Sequence, residues 1–402
     1  MCHRRVCLAF LAVPVAIALA GCNAAPPPAA TAAAGDIDRD LLDVTVARLH
    51  ALYDARTYTV TQVVQWHLAR IDRYNGVYDK GWDALRLDRI AREKAMGIIP
   101  KNTVLPPINP GDMPWNKLTP TQKIVYARFM QTYAGFLTHC DEQIGRLVAY
   151  LKSTGQYDNT LFIILSDNGA AGEAGQPGTF DGLYKPNKLT PEQELARLDE
   201  LGTDKTEAQY QRPWAMAGVT PLRRYKLWPY AGGVRTPLII SWPRGIKDHG
   251  GIRHQEVDAI DIAPTIMDVV GTKFDNVIDG KTQIPVAGKS AAPTFANANA
   301  PDPRPVQFFE LRGNRAIRDG KWRAIAMHRP LTDFSTDQWQ LFDESKDFSE
   351  STDLAKAFPK KVDELKALWW SEARKYADPP VTEPPAAIRN MDRFDDAFDE
   401  PH

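Results

Sequence analysis

The run Leu161-Phe162-Ile163-Ile164-Leu165-Ser166, with the Asp167-Asn168-Gly169-Ala170 that closes it, constrains this chain more than any other stretch. Unbroken large apolar residues, two of them β-branched, predict a buried strand of a parallel sheet. In open α/β sheets, ligands gather beyond the carboxyl ends of the strands. There the chain sets a carboxylate, an amide oxygen and a glycine. Asp167 and Asn168 are therefore candidate ligands for a hard cation such as calcium or magnesium. The same residues also spell an Asx-type turn closed by glycine.

What surrounds the strand predicts an α/β unit. Thr119-Pro120-Thr121-Gln122 is a capping box with proline at the first helical position. Apolar residues at 126, 129, 130, 133, 137, 140, 144, 147, 148 and 151 continue that helix until Gly155 stops it. Helix then strand is the repeating unit of a doubly wound sheet. Residues 171–212 are polar and are expected to form a long surface insertion. Val234 to Trp242 predicts another strand, and Asp258 to Gly271 a helix.

Beyond residue 300 the pattern changes. Val306 to Glu310, Arg315 to Arg318, Trp322 to Ala326 and Gln338 to Phe342 read as short strands, and Asp319-Gly320 is a hairpin signal. A helix from Pro359 presents Val362, Leu365, Trp369, Ala373 and Tyr376 on one face. Asp378 to His402 is acidic and proline-rich, a composition expected to stay disordered.

The front of the chain reads as an export signal. Arg4 and Arg5 precede an apolar run from Val6 to Ala20, too short and wrongly flanked to span a membrane. Leu19-Ala20-Gly21-Cys22 resembles a bacterial lipobox, which implies cleavage before Cys22 and lipid on its thiol. Asn23 in place of Asp favours the outer over the inner membrane. Cys140, at an apolar helical position, is expected to be a buried small hydrophobe. Ala24 to Gly35 is a Pro/Ala tether. Two amphipathic helices follow, at Asp40–Leu49 and Thr59–Asp72, the second with Thr59 as N-cap. Their wording, over residues 36–76, resembles the start of amidase-signature enzymes, though none of that family's Lys-Ser-Ser residues lies within it. Asn75-Gly76 marks the seam.

Residues 78–376 resemble a family on several ordered blocks. Tyr78-Asp79-Lys80-Gly81-Trp82-Asp83, Ile144-Gly145-Arg146-Leu147, the strand end at Ser166–Ala170, Thr220-Pro221-Leu222-Arg223-Arg224-Tyr225-Lys226, Ala231-Gly232-Gly233-Val234-Arg235-Thr236-Pro237 and Asp261-Ile262-Ala263-Pro264-Thr265 are similar to the later part of formylglycine-dependent arylsulfatases. The resemblance implies an α/β fold: an incomplete doubly wound, alkaline-phosphatase-like sheet followed by a small C-terminal antiparallel α+β subdomain. It implies calcium at Asp167 and Asn168, and a sulfate contact for Lys226, whose ammonium suits an anionic oxygen. Tyr230 stands where relatives often carry His. Of the remaining candidates, His139, His249 and His254 match no catalytic position, and Asp141 reads as structural.

The family's nucleophile arises from Cys or Ser in a Cys/Ser-x-Pro/Ala-x-Arg context. Neither Cys2, Cys7, Cys22 and Cys140 nor any serine here stands in it. The early Asp-Asp pair of metal ligands also has no counterpart in the first 160 residues. Two metal ligands in place of four or five predict weak or lost calcium binding.

The expected organisation is a signal over 1–21, a tether over 22–35, a helical head over 36–76, a truncated sulfatase domain over 77–300, the C-terminal subdomain over 301–377 and a tail over 378–402. The expected function is a sulfatase-family protein, inactive or poorly active alone, whose ancestral substrate is a sulfate ester or sulfated sugar. A second chain completing the sheet is a candidate partner. The alternative is a non-catalytic envelope lipoprotein that binds an anionic ligand or partner. A periplasmic, lipid-anchored location follows from Cys22. A net charge of -1 without a basic stripe gives no case for nucleic acid.

Overall fold

A computed structural model describes residues 34–41, 44–182, 188–329 and 332–376. The export signal, Cys22 and residues 378–402 lie outside them. The chain divides into two compact units, Met1–Val63 and Val64–His402, the division falling within a helix rather than at Asn75-Gly76.

In the first unit the helix expected over 40–49 is two helices, α1 (Ala34–Leu41) and α2 (Val46–Asp54). Thr45 restarts the helix by accepting the Arg48 N–H. Tyr58 donates its hydroxyl to Asp40 at 2.9 Å, and α3 (Val60–Asp72) is the helix within which the division falls.

The second unit is organised by α4 (Gly81–Met96) and α5 (Pro120–Ser153). Both halves of the predicted capping box on α5 are made: the Thr119 side chain accepts the Gln122 N–H and the Gln122 side chain accepts the Thr119 N–H. The buried face of α5, Val125, Tyr126, Phe129, Met130 and Ala134, packs against Trp82, Trp115 and Trp214. The Trp82 ring meets Trp115 and Trp214 edge-on at 4.7 and 5.4 Å between centroids. Each such pair contributes ~0.5–1.5 kcal/mol beyond its area. Past Gly135 the apolar stripe continues, yet Phe136, Leu137 and Leu147 are exposed and Cys140 is only half-buried. Periodicity predicts a face, but burial needs a second surface, and none covers this one among the described residues.

The Leu161 strand is shorter and differently paired than expected. As β1 (Phe162–Leu165) it runs antiparallel to β2 (Leu238–Ser241), with Ile163 opposite Ile240. A parallel partner needs a crossover that returns the chain to the same end. Here α6 (Pro191–Leu195), α7 (Arg212–Gly218) and a single turn, α8 (Ala231–Val234), deliver β2 from the opposite end. Two strands make this whole sheet among the described residues, so Ile164, Leu165 and Ile239 remain 38–56% exposed. The sheet is incomplete, and its strand is half-exposed rather than buried.

The segment expected on the surface over 171–212 is instead anchored inward at points among its described residues. Their few apolar members do it: Phe180 and Leu201 are fully buried, with Phe180 edge-on to Phe129 at 5.0 Å. Average polarity hid these anchors.

Then follow α9 (Ile262–Val270), closed by left-handed Gly271, a ladder of β3 (Val277–Ile278) with β4 (Lys281–Thr282), and α10 (Pro293–Ala296). The C-terminal subdomain is the antiparallel sheet β5 (Val306–Leu311), β6 (Asn314–Asp319), β7 (Trp322–Ala326) and β8 (Trp339–Asp343), in sequence order. Across it lies α11 (Pro359–Tyr376), burying Leu365, Trp369 and Ala373, with Tyr376 exposed. The Asp319-Gly320 hairpin is present, its glycine left-handed at φ 58°.

Candidate functional site

The strand end is held by hydrogen bonds from the segment before β2. The Ser166 carbonyl accepts the Thr236 hydroxyl at 3.0 Å, and the Gly169 N–H donates to the Gly233 carbonyl at 2.9 Å. A Cβ on Gly169 would stand 1.8 Å from the Gly232 carbonyl oxygen. Only glycine admits so close an approach. Asp167 is exposed and Asn168 half-buried.

Lys226 is joined to the same loop. Its N–H donates to the Ala170 carbonyl at 3.0 Å, and its ammonium lies 2.5 Å from Glu173 Oε1. Glu173 is buried, and its Oε2 makes no hydrogen bond. The loop that carries Lys226 is bent by left-handed residues on either side, Arg224 at φ 64° and Leu227 at φ 78°. Such conformations cost ~1–3 kcal/mol each and persist where the surroundings impose them. Asp167, Asn168 and Lys226 line one cavity of about 1620 Å³. The sequence thus named three residues that the structure brings to one wall, but missed Glu173, which lies outside any periodic pattern.

Ionic groups also line this cavity: Arg235, Glu256, Arg323 and Glu344. Glu256 sits among Arg235, Arg318 and Glu344, and its carboxyl is pushed above the usual range by burial and then by the Glu344 carboxylate. Glu350 is fully buried in a left-handed conformation, φ 55°. Burial pushes its carboxyl up to about 7, against the pull of Arg323 and the Ala231 N–H. Tyr230 is buried and donates its hydroxyl to Gln340 Oε1. His249 and His254 are exposed on the cavity rim, and Asp141 is exposed on α5.

These residues do not make up a calcium cage. Among the described residues, no three or more His, Cys, Asp or Glu groups converge in a way that could hold a metal. Calcium takes about six to eight oxygens, and Asp167 and Asn168 supply two side chains on an open edge. What the arrangement can do alone is present a carboxylate, an amide and a paired ammonium to a polar ligand.

This chain has extensive similarity to known proteins. The family model described as Sulfatase matches residues 19–272, and that described as N-sulphoglucosamine sulphohydrolase, C-terminal, matches residues 224–370. An uncharacterized sulfatase of Schizosaccharomyces pombe is 34% identical over 307 residues, covering 74% of this chain and 53% of that protein. The arylsulfatase of Klebsiella aerogenes is 35% identical over 247 residues, covering 60% and 50% respectively. An N-acetylglucosamine-6-O-sulfatase of Bacteroides thetaiotaomicron is 24% identical over 67% of this chain and 40% of its own. The chain spans about half the length of the first two of these relatives. The match from residue 19 takes in residues 36–76, where the amidase-like wording stands.

Proposed function

Because this chain belongs to the sulfatase family, we propose that Asp167, Asn168 and Lys226 are the strand-end half of a sulfate-ester hydrolase site, catalytically incomplete in this chain by itself. The observation that carries the reading is the convergence of these three on one cavity wall in a sequence that has no Cys/Ser-x-Pro/Ala-x-Arg stretch. The ancestral substrate class we assign is a sulfated sugar. The C-terminal match described as N-sulphoglucosamine sulphohydrolase and the likeness to an N-acetylglucosamine-6-O-sulfatase support it. Calcium, the family's metal by resemblance, binds weakly or not at all to two side-chain donors.

Thermal unfolding with and without calcium chloride tests the incomplete site. Ligand that binds only the native state raises the midpoint in proportion to its affinity. The expected result is a shift within about one degree at millimolar calcium. A rise of several degrees would show a complete cage and overturn the reading.

The lipobox Leu19-Ala20-Gly21-Cys22 favours a second reading, a lipid-anchored envelope protein with a binding role. On it, Cys22→Ser abolishes lipid labelling and detergent partitioning; equal membrane association of the variant would point to another anchor. The open apolar faces of β1 and β2 support a second chain as partner, since unpaired strand edges and exposed apolar surface favour association.

A further inference from the structure

We propose that Arg323 and Glu350 of the C-terminal subdomain are positioning residues for the strand-end site. They act by gripping the turn on which Asp167-Asn168-Gly169 docks. Arg323, on β7, donates Nη2 to the Pro229 carbonyl at 2.6 Å. Glu350, on the loop after β8, accepts the Ala231 N–H on Oε2 at 2.8 Å. The two side chains thus hold the backbone on either side of Tyr230, whose own hydroxyl reaches Gln340 of β8. Glu350 Oε1 lies 3.0 Å from Arg323 Nε without a hydrogen bond between them, so the pair is coulombic. Both residues are almost wholly buried.

What they grip is a turn with no slack. A Cβ on Gly232 would meet the Arg224 carbonyl oxygen at 2.2 Å, and one on Gly233 the Trp228 carbonyl oxygen at 2.0 Å. Gly233 in turn accepts the Gly169 N–H, and Gly232 packs on Gly169. A displacement at Ala231 therefore passes through backbone alone to Gly169, one residue from Asn168. Tightly packed contacts of this kind shift as a unit rather than deform gradually. The anchors come from a strand and a loop 94 and 119 residues away in sequence from the groups they hold, so the C-terminal subdomain sets the geometry of the strand end.

The inference concerns the site of the reading above, but rests on geometry that stands whether or not sulfate ester is the substrate. Hydrogen exchange of the Gly169 amide in the full chain tests it without reference to activity. In Glu350→Ala, which removes the acceptor, Gly169 is expected to exchange about tenfold faster, with the amides pairing β6 and β7 unchanged. In Glu350→Gln, whose amide oxygen can still accept the Ala231 N–H, Gly169 should stay close to wild type. Should the alanine variant not fold, Glu350→Asp withdraws the carboxylate by one methylene and carries the same expectation as the alanine variant. Unchanged exchange at Gly169 would overturn the proposal. So would a rise shared equally by the β6–β7 amides, which marks a merely structural role, or an equal rise in Glu350→Gln.

Discussion

Purified protein of this sequence is expected to hydrolyse a chromogenic aryl sulfate no faster than buffer, even with calcium and a formylglycine-generating enzyme supplied. Covalent catalysis divides one hard step into two easier ones. No cysteine or serine here stands in the Cys/Ser-x-Pro/Ala-x-Arg context from which the family's nucleophile is made. Losing a nucleophile costs on the order of a million-fold in rate, leaving only binding and electrostatics. Those are weak here as well. Lys226 is already neutralised by Glu173 at 2.5 Å, so an incoming anion meets a paired charge rather than a bare cation. Release of the chromophore is the measurement. Robust turnover that disappears in Lys226→Ala would sink the prediction and restore a complete site.

The second large effect is on stability and is read against pH. The Glu350 carboxyl is raised from 4.5 to about 7, by burial first, with Arg323 opposing and Glu344 adding. Arg223 also faces it, and the Ala231 N–H favours the charged form. A carboxyl raised on folding favours the protonated native state. Its contribution is fully present below pH 4.5 and lost as pH climbs through about 7. Such a shift corresponds to about 3 kcal/mol. Glu350→Gln should match wild type near pH 4.5 and exceed it by about that amount at pH 8. Glu93, Asp112 and Glu256 are raised too, whereas Asp40, Asp333 and Asp343 are lowered. All six are common to both proteins and cancel in the difference. Urea unfolding at three pH values measures it, and a difference that is flat with pH would mean that Glu350 ionises alike in the folded and unfolded states.

Local signals were legible wherever a few neighbouring residues decide the outcome. The capping box at Thr119–Gln122, the stop at Gly271, the Asp319-Gly320 hairpin and the buried stripe of α11 all form where the residues predict them. Each depends on hydrogen bonds or dihedrals within one turn. Family wording singled out Asp167, Asn168 and Lys226, and the fold gathers them on one cavity wall. The errors were of another kind. Phe162–Leu165 has the composition of a parallel strand but pairs antiparallel, because direction is set by how residues 166–237 return the chain. Residues 171–212 look like surface by average polarity, yet Phe180 and Leu201 within them are fully buried in the core.

By itself, then, the sequence determined the capped start of α5, the stop of α9, the C-terminal strands, the family and the identity of the strand-end oxygens. All of these are properties of short stretches of residues. Only the tertiary structure decided that Lys226 pairs with Glu173, that α5 leaves half its apolar stripe open, and that Arg323 and Glu350 hold the turn beneath Gly169. Those outcomes join residues tens to more than a hundred positions apart. Which carboxylate reaches which ammonium depends on the path of the backbone between them, and a one-dimensional pattern does not encode it.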